Sequence, residues 1–474
     1  MWSLALFGIA LGVYCRTLAP TITWRNDSAD SGDLVTAAVV GGIPHPPGYP
    51  LYTLIAGVGV QLPLGEPARG VAFCSALAAA GATVAFFFAA RAVAGVDWIA
   101  ASVALTFAFA PLVWAQAIIA EVYALNLLLV AALLAVTLAD HPRRLFFAAA
   151  IFGAGLAHHF SILLLAPTAV ILLGDTVWTR KQIFGAGAAL LAPLGLYLVL
   201  PMRALAQPPI NWGDPRTLEN FWWTVSATPY RAYWNFAPGD LLARAAMTAL
   251  LLFAQFNVWG VALGLWGGAE MAFARAARTR RRVGALALGY ALTLGYALTY
   301  ATRDSYVYLL PAFAIFALGI AFGIGFVFDQ LTRARRAWLV RALVVLALAF
   351  CPAWNLAANF AALDLSQDRE ATTFAASVLA DAPRDAVIVA RGDQQLFALW
   401  YQRYVLARAT SQVIVVSEEL LQYDWYFDQM RRLIPGVSAA IVPHARLDAL
   451  LAQARRAGRV VYPLANDSPG AGRK

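Results

Sequence analysis

Charged residues are scarce in this chain. Only 13% of its 474 residues are Asp, Glu, Lys or Arg, about half the share usual in soluble domains, which argues against the ordinary soluble class. Cysteine is scarcer still: Cys15, Cys74 and Cys351 each lie in or beside an apolar run. Their spacing gives neither a disulfide framework nor a metal-ligand set, so they read as small lipid- or core-facing side chains. The sequence has no glycine-rich phosphate loop, no CxxC pair and no convincing internal repeat. Met1 to Leu18 lacks a basic leading region and a small-residue cleavage site, so it is expected to be a retained first span rather than a removed signal peptide.

What is present is apolar sequence. Hydrophobic residues make up 61% of the chain, mean hydropathy is +0.66, and runs of about 20 apolar residues recur, the length that crosses a bilayer. The expected class is a polytopic α-helical membrane protein. After the first span come approximate spans at 70–93, 98–117, 120–139, 143–157, 160–174, 183–201, 243–273, 284–301, 307–328 and 339–360, about eleven in all. The 51–64 run is too short to span and reads as a juxtamembrane or re-entrant helix. The formal charge of +9 is concentrated in loops, which favours bilayer orientation over nucleic-acid binding. Arg91, Arg143-Arg144, Arg180-Lys181, Arg275 with Arg278 and Arg280 to Arg282, and Arg333 to Arg336 alternate with the other loops. The positive-inside rule makes that face, and the amino terminus, cytoplasmic. The loops at 19–50 and 202–242 and the carboxy-terminal tail then lie outside.

From about residue 361 the composition changes. Ala386 to Ala390 (AVIVA) and Val413 to Val416 (VIVV) read as short buried strands, with helical patterns near 367–380, 394–408 and 419–433. Strands alternating with helices predict a small soluble α/β domain with a parallel sheet over 361–474, following a membrane domain over 1–360. Arg391-Gly392-Asp393 falls where the first strand ends, the edge such sheets use for ligands, although a plain β-to-α turn explains it as well.

The outer face gathers the unusual polar residues. Asp30-Ser31-Gly32-Asp33 can be a helix start, with Asp30 as cap, or a carboxylate waiting for a proton. The block from His45 through Tyr49 can be a stiff turn, or His45 can donate to a phosphate. Glu121 suits either a helix start or a bundle interior where acids are functional. His158 and His159 lack a third ligand at metal spacing, so no metal is expected. Arg203, then Asn211 and Trp212 in NWGDP, then Arg303-Asp304-Ser305-Tyr306 complete the set. Single arginines anchor interfaces. Several of them together with histidines and acids suggest an anion site beside a base.

The motifs DSGD, HPPGYPLY, AEVYALN, GLAHHFS, LPMRA with NWGDP, and DSYVYLLPAF, in this order over roughly residues 1–330, resemble one family. It is the family long catalogued as domain of unknown function 2723 and now treated as glycosyltransferase family 117, which includes a human transmembrane O-mannosyltransferase acting on IPT domains. The tail is similar to the tails of its bacterial members, which implies a bacterial inner membrane. More broadly, the chain is similar to GT-C glycosyltransferases, whose first outer loop carries the catalytic acid and whose donor is a polyprenyl-phosphate sugar. Where the family tends to have Asp-x-Gly-Glu, this chain has Asp33 as the shorter second acid. The resemblance implies inverting transfer of a hexose, mannose above all, to a protein Ser/Thr hydroxyl, with no cofactor beyond the lipid-linked donor. Asp30 would be the base and Asp33 its alternate or orienting partner. His45, Tyr49, Glu121, His158, His159, Arg203, Asn211, Trp212, Arg303, Asp304 and Tyr306 would hold donor phosphate and sugar. The alternatives are a glycan or lipid acceptor, or a lipid-linked sugar flippase, which would instead want polar groups in broken helices at the bilayer midplane.

Overall fold

The computed structural model describes residues 1–273, 276–332, 337–407 and 412–464, the side chains of 331–349 and 463 excepted. Arg275 and the Arg333–Arg336 loop, both used above for orientation, lie outside the described residues. The first half runs through α1 (Trp2–Thr17), α2 (Ser31–Val40), α3 (Pro50–Gly59), α4 (Pro67–Ala94), α5 (Asp97–Ala108), α6 (Pro111–Ala117), α7 (Tyr123–Leu138), α8 (Arg144–Leu156), α9 (Ala166–Leu173) and α10 (Arg180–Leu191). It continues with α11 (Val199–Leu205), α12 (Leu218–Val225), α13 (Pro238–Ala272), α14 (Ala277–Thr299), α15 (Leu310–Thr332) and α16 (Ala337–Leu363). The last part comprises α17 (Glu370–Asp381), β1 (Val387–Ala390), α18 (Gly392–Tyr401), β2 (Ile414–Ser417), α19 (Asp424–Leu433), α20 (Arg446–Arg456) and β3 (Val461–Pro463).

The protein is a multi-pass membrane protein. Among the described residues, four helical stretches are long and apolar enough to cross a bilayer by length and composition: Pro67–Ala94, Arg180–Leu205, Pro238–Ala272 and Ser305–Gln330. The α5–α6 pair makes a fifth if its 68° bend is counted within one span. Several of the expected spans are shorter apolar helices, among them α1, α7 and α8. The run at 98–117 is not continuous, because Pro111 opens a new helix and its ring cannot continue the old one. The 51–64 run folds as the ten-residue α3.

Breaks in an apolar bundle free backbone groups that must find partners inside the protein. Here they find one another. Gln255 on α13 accepts from the Leu112 N–H at the start of α6 (2.9 Å), and Asn355 donates to the carbonyls of Thr106 (3.1 Å) and Gln255 (3.2 Å). Two residues on, Asn257 takes φ 52°, and its side chain accepts from the N–H groups of Trp259 and Gly260, restarting the helix. Beyond that kink α13 crosses α15 with little between the backbones. A Cβ on Gly267 would meet the Gly319 carbonyl, and such small-residue faces let membrane helices pack by close contact.

The basic loops on one face are joined directly. Arg144, only 4% exposed at its side chain, pairs with Asp175, and Arg278 pairs with Asp140 and reaches Asp175.

Beyond α16 the chain forms a three-stranded sheet in the order β2-β1-β3, with β1 parallel to both neighbours. β1 and β2 are buried along their whole length, which is why they read as unbroken apolar runs. β3 is three residues long and ends in Pro463, which suits an edge. This part is sewn to the first loop: Thr23 bonds Asp368, Trp24 Nε1 donates to the Gln394 carbonyl (3.2 Å), and Tyr401 donates to Glu66 (3.3 Å). Residues Gln395 to Tyr401 of α18 are all buried, and one side of that helix rests on α2. The approach is closest at Gly32, where an added Cβ would lie 2.5 Å from the Phe397 carbonyl oxygen and 2.9 Å from its Cβ. Neither is the far end of a flexible side chain, so Gly32→Ala must separate α2 from α18. Overpacking of this kind costs about 1–3 kcal/mol. A lowered thermal midpoint in detergent is expected, and an unchanged midpoint would refute the close contact.

Candidate active site

α2 begins at Ser31 with Asp30 just before it, but the Asp30 side chain makes no capping hydrogen bond. The reading of Asp30 as a cap is therefore not what the structure shows; its carboxylate is left over. α2 ends at Gly41, whose φ of 66° only glycine adopts without cost. The chain then runs extended for one step. Ile43 N–H donates to the Ile210 carbonyl (2.9 Å) and the Trp212 N–H donates to the Ile43 carbonyl (3.2 Å). This bridge carries Trp212, from the distant NWGDP loop, to the acids of α2.

Asp33 is fully buried and fully used. One carboxylate oxygen accepts from the backbone N–H and the Nδ1 of His45, both at 2.8 Å, and the other accepts from Trp212 Nε1 at 3.0 Å. With Nδ1 donating to Asp33, the other ring nitrogen of His45 points toward Asp30 (3.6 Å) and the Tyr49 hydroxyl (3.2 Å). The turn between His45 and α3 includes a cis Pro46-Pro47 bond and places Tyr49 at φ 41°, a left-handed conformation that costs a non-glycine residue about 1–2 kcal/mol.

Asp30 and His45 face a cavity of about 900 Å³, whose lining does not include Asp33. Asp30, His45, Tyr49, His159, Trp212, Arg303 and Asp304 all line it. About a third of the Asp30 side chain is exposed, where it borders the cavity, and the rest is buried. Burial therefore raises its proton affinity, the His45 charge offsets part of that, and Asp393, Asp304 and Asp33 raise it further, to about 7. Burial acts against a charged His45, but Asp30 first, and then Asp33, outweigh it and hold the ring at about 9. At neutral pH the cavity thus holds a carboxylate near its titration point beside an imidazolium.

The other expected residues divide into wall and support. His159 accepts at Nδ1 from the Ser161 N–H (3.2 Å) and stacks on Tyr49 with ring centroids 6.0 Å apart. Asp304 accepts from the Tyr123 hydroxyl (2.6 Å), and Arg303 pairs with Asp27 (3.0 Å). Tyr306 also donates to Asp27 (2.9 Å) from behind the wall. Glu121 is buried away from the cavity and accepts from Ser28 (3.2 Å). His158 bonds the Val122 carbonyl (2.9 Å) and Asn211 donates to Asp214 (3.0 Å). Arg203 donates to the Gly42 carbonyl (3.0 Å), so it ties down the loop after α2 and does not line the cavity.

Other residues enter the wall that the sequence reading did not single out. Tyr296 near the end of α14 and Tyr300 just past it stack at 5.2 Å, and Tyr308 meets Tyr296 edge-on at 5.1 Å. Tyr230, Tyr233 and Trp234 extend this aromatic face, and Leu163 and Leu164 border it. The i, i+4 tyrosines at the apolar end of this helix were the available signal. On the opposite side stand Arg391, Gly392 and Asp393, the strand end that the sequence offered as a ligand edge, with Phe397 and Glu419.

Two family models match this chain. Residues 30–181, beginning at the very carboxylate left over on α2, match the protein O-mannosyl-transferase TMEM260 N-terminal domain, and residues 371–445 match TMEM260-associated domain 2. Both stretches, and the chain as a whole, are similar to the TMEM260 family. It is 28% identical over 470 residues to protein O-mannosyl-transferase TMEM260 of Mus musculus, covering 92% of this chain and 65% of the mouse protein. It is 26% identical over 235 residues to the Dictyostelium discoideum protein of the same name, covering 44% of this chain and 28% of that relative. The chain thus spans less than two thirds of the length of these family members. Among solved structures, it resembles ArnT from Cupriavidus metallidurans in the apo state, with a TM-score of 0.58 and 15% identity over 89% of this chain and 91% of that one. ArnT bound to undecaprenyl phosphate gives 0.57 and 14% identity over 98% of this chain and 89% of that one. The Archaeoglobus fulgidus oligosaccharyltransferase gives 0.51 and 14% over 87% and 64%. These likenesses give the fold, which is of the GT-C type.

Proposed function

We propose that the protein is a membrane glycosyltransferase that moves a hexose, mannose by family likeness, from a polyprenyl phosphate to a Ser/Thr hydroxyl of a protein. The observation that carries this reading is Asp30, a carboxylate with no hydrogen-bonding duty in the fold, facing a cavity beside a charged histidine. Asp30 takes the acceptor's hydroxyl proton as its oxygen attacks the anomeric carbon. The bond from that carbon to the phosphate oxygen breaks on the opposite side, with inversion. Asp33 holds His45, and His45 with Arg303 offers positive charge to the departing lipid phosphate. His159 and the tyrosine face border the sugar. Leu163 and Leu164 offer an apolar margin for the first isoprene units. The undecaprenyl phosphate bound to the similarly folded ArnT supports a lipid donor. The loop charges support about eleven spans, with the cavity and the tail on the extracytoplasmic side and the amino terminus in the cytoplasm, and the likeness of the tail to bacterial family members favours a bacterial inner membrane.

The test is transfer from polyprenyl-phosphate-mannose to Ser/Thr peptides by the purified, reconstituted protein, with products read by mass spectrometry. A hexose on the peptide supports the reading; a hexose found only on lipid or glycan, or no transfer at all, overturns it. The pH profile should follow from the two titrating groups. Asp30 must have lost its proton, so the rate rises as pH increases through about 7. His45 must keep its proton, so the rate falls again through about 9. A rate that is flat from pH 5 to 10 counts against both roles.

A further inference from the structure

The cavity has a wall that the mechanism above does not use, built from the carboxyl ends of β1 and β2. In parallel α/β sheets that edge is where ligands are received, and here it opens onto the same space as Asp30. Five acids line the cavity: Asp27, Asp30, Asp304, Asp393 and Glu419. Three are satisfied by protein donors. Asp27 takes Arg303 and Tyr306, Asp304 takes Tyr123, and Glu419 takes the Gly392 N–H (2.9 Å) and the Ser417 hydroxyl (3.1 Å). Asp30 is assigned to the acceptor's proton. Asp393 remains, and among the described residues no hydrogen bond or ion pair engages its carboxylate.

Its position argues for the acceptor rather than the donor. The donor phosphate needs cations, and His45 and Arg303 lie on the membrane-domain side, where the aromatic face and Leu163 also stand, whereas Arg391 on the sheet edge is paired with Glu418 (3.4 Å). A carboxylate on the opposite wall would repel a phosphate. It would attract a positive group carried next to the reacting hydroxyl. Asp393 is also near enough to Asp30 for each acid to feel the shared surroundings, since both respond to the His45 charge.

We propose that the carboxyl edge of the β1–β2 sheet is the acceptor subsite, and that Asp393 selects peptides carrying a Lys or Arg beside the modified Ser or Thr. This rests on the protein-acceptor reading given above. Asp393 acts here as a specificity residue, and no chemical step passes through it.

The experiment compares three synthetic peptides identical except for Lys, Gln or Glu flanking the single Ser/Thr. Ratios of kcat/KM are measured for the wild type, Asp393→Asn and Asp393→Lys, with direct binding of each peptide measured in the absence of donor. The wild type should favour the Lys peptide over the Glu peptide by about two- to fivefold, the worth of one partly screened ion pair. Asp393→Asn should level the three, and Asp393→Lys should reverse their order. A purely structural role would lower all three peptides together and leave their order unchanged. An order unaffected by either substitution overturns the proposal. If no peptide is glycosylated, the function reading fails, but the binding series still decides this one: a charge preference that Asp393→Lys reverses supports the subsite, and its absence refutes it.

Discussion

Asp30→Asn is expected to lower transfer on the order of 10²- to 10⁴-fold, the usual worth of a positioned proton acceptor, while leaving the fold intact. Both halves of that expectation come from the same geometry. The Asp30 carboxylate caps no helix, and its nearest charged neighbour is His45 Nε2 at 3.6 Å. An amide of the same shape therefore disturbs no hydrogen bond of the scaffold but cannot take a proton. Thermal unfolding in detergent should match the wild type, and binding of the polyprenyl-phosphate donor should persist. Wild-type turnover by the variant would remove Asp30 from the chemistry, and a collapsed melting curve would show that its role is structural after all.

Asp33→Asn is expected to fail in the opposite manner, through the scaffold. Three N–H donors converge on the two Asp33 oxygens, two from His45 and one from Trp212. An amide has one oxygen. If that oxygen faces His45, the Trp212 indole meets an NH₂ group; if it is flipped, both His45 donors are stranded. The better choice still buries one unmet donor, which costs about 1–3 kcal/mol. Losing the negative charge also weakens the hold on the His45 proton, so the falling limb of the rate profile should move to lower pH than in the wild type. A lower melting midpoint together with that displaced limb is the expected result. An unchanged midpoint and profile would mean that Asp33 does not organise the site.

The contrast between these two acids marks what was legible in the sequence. Both were visible as candidates three residues apart, and so was the company of His45, His159, Trp212 and Arg303. Which acid was occupied was not visible, because the deciding partner, Trp212, lies 179 positions from Asp33 and arrives through the Ile43–Asn211 bridge. No local periodicity encodes such a pairing. Arg203 misled for a related reason. A basic residue in an outer loop looks like an anion ligand until a backbone carbonyl, here that of Gly42, is found to hold it. The apolar runs located most helices well, but the 98–117 run concealed a 68° bend whose cue, Pro111, was in plain view. Asp393 reads in sequence as a turn as well as a ligand edge, since nothing local tells a turn at a strand end from a turn that also borders a cavity. β3 was missed because three residues ending in proline fall below what a strand pattern requires.

The contact between Gly32 and Phe397 has a consequence in time as well as in space. A chain is made from its amino terminus, so the segment bearing Asp30 is threaded into the membrane long before residues 391–423 leave the ribosome. Those late residues supply one whole side of the cavity. Until they dock on α2, the cavity that Asp30 borders lacks that side. The two sides of the site are therefore made at different times, and the carboxylate waits for its opposite wall.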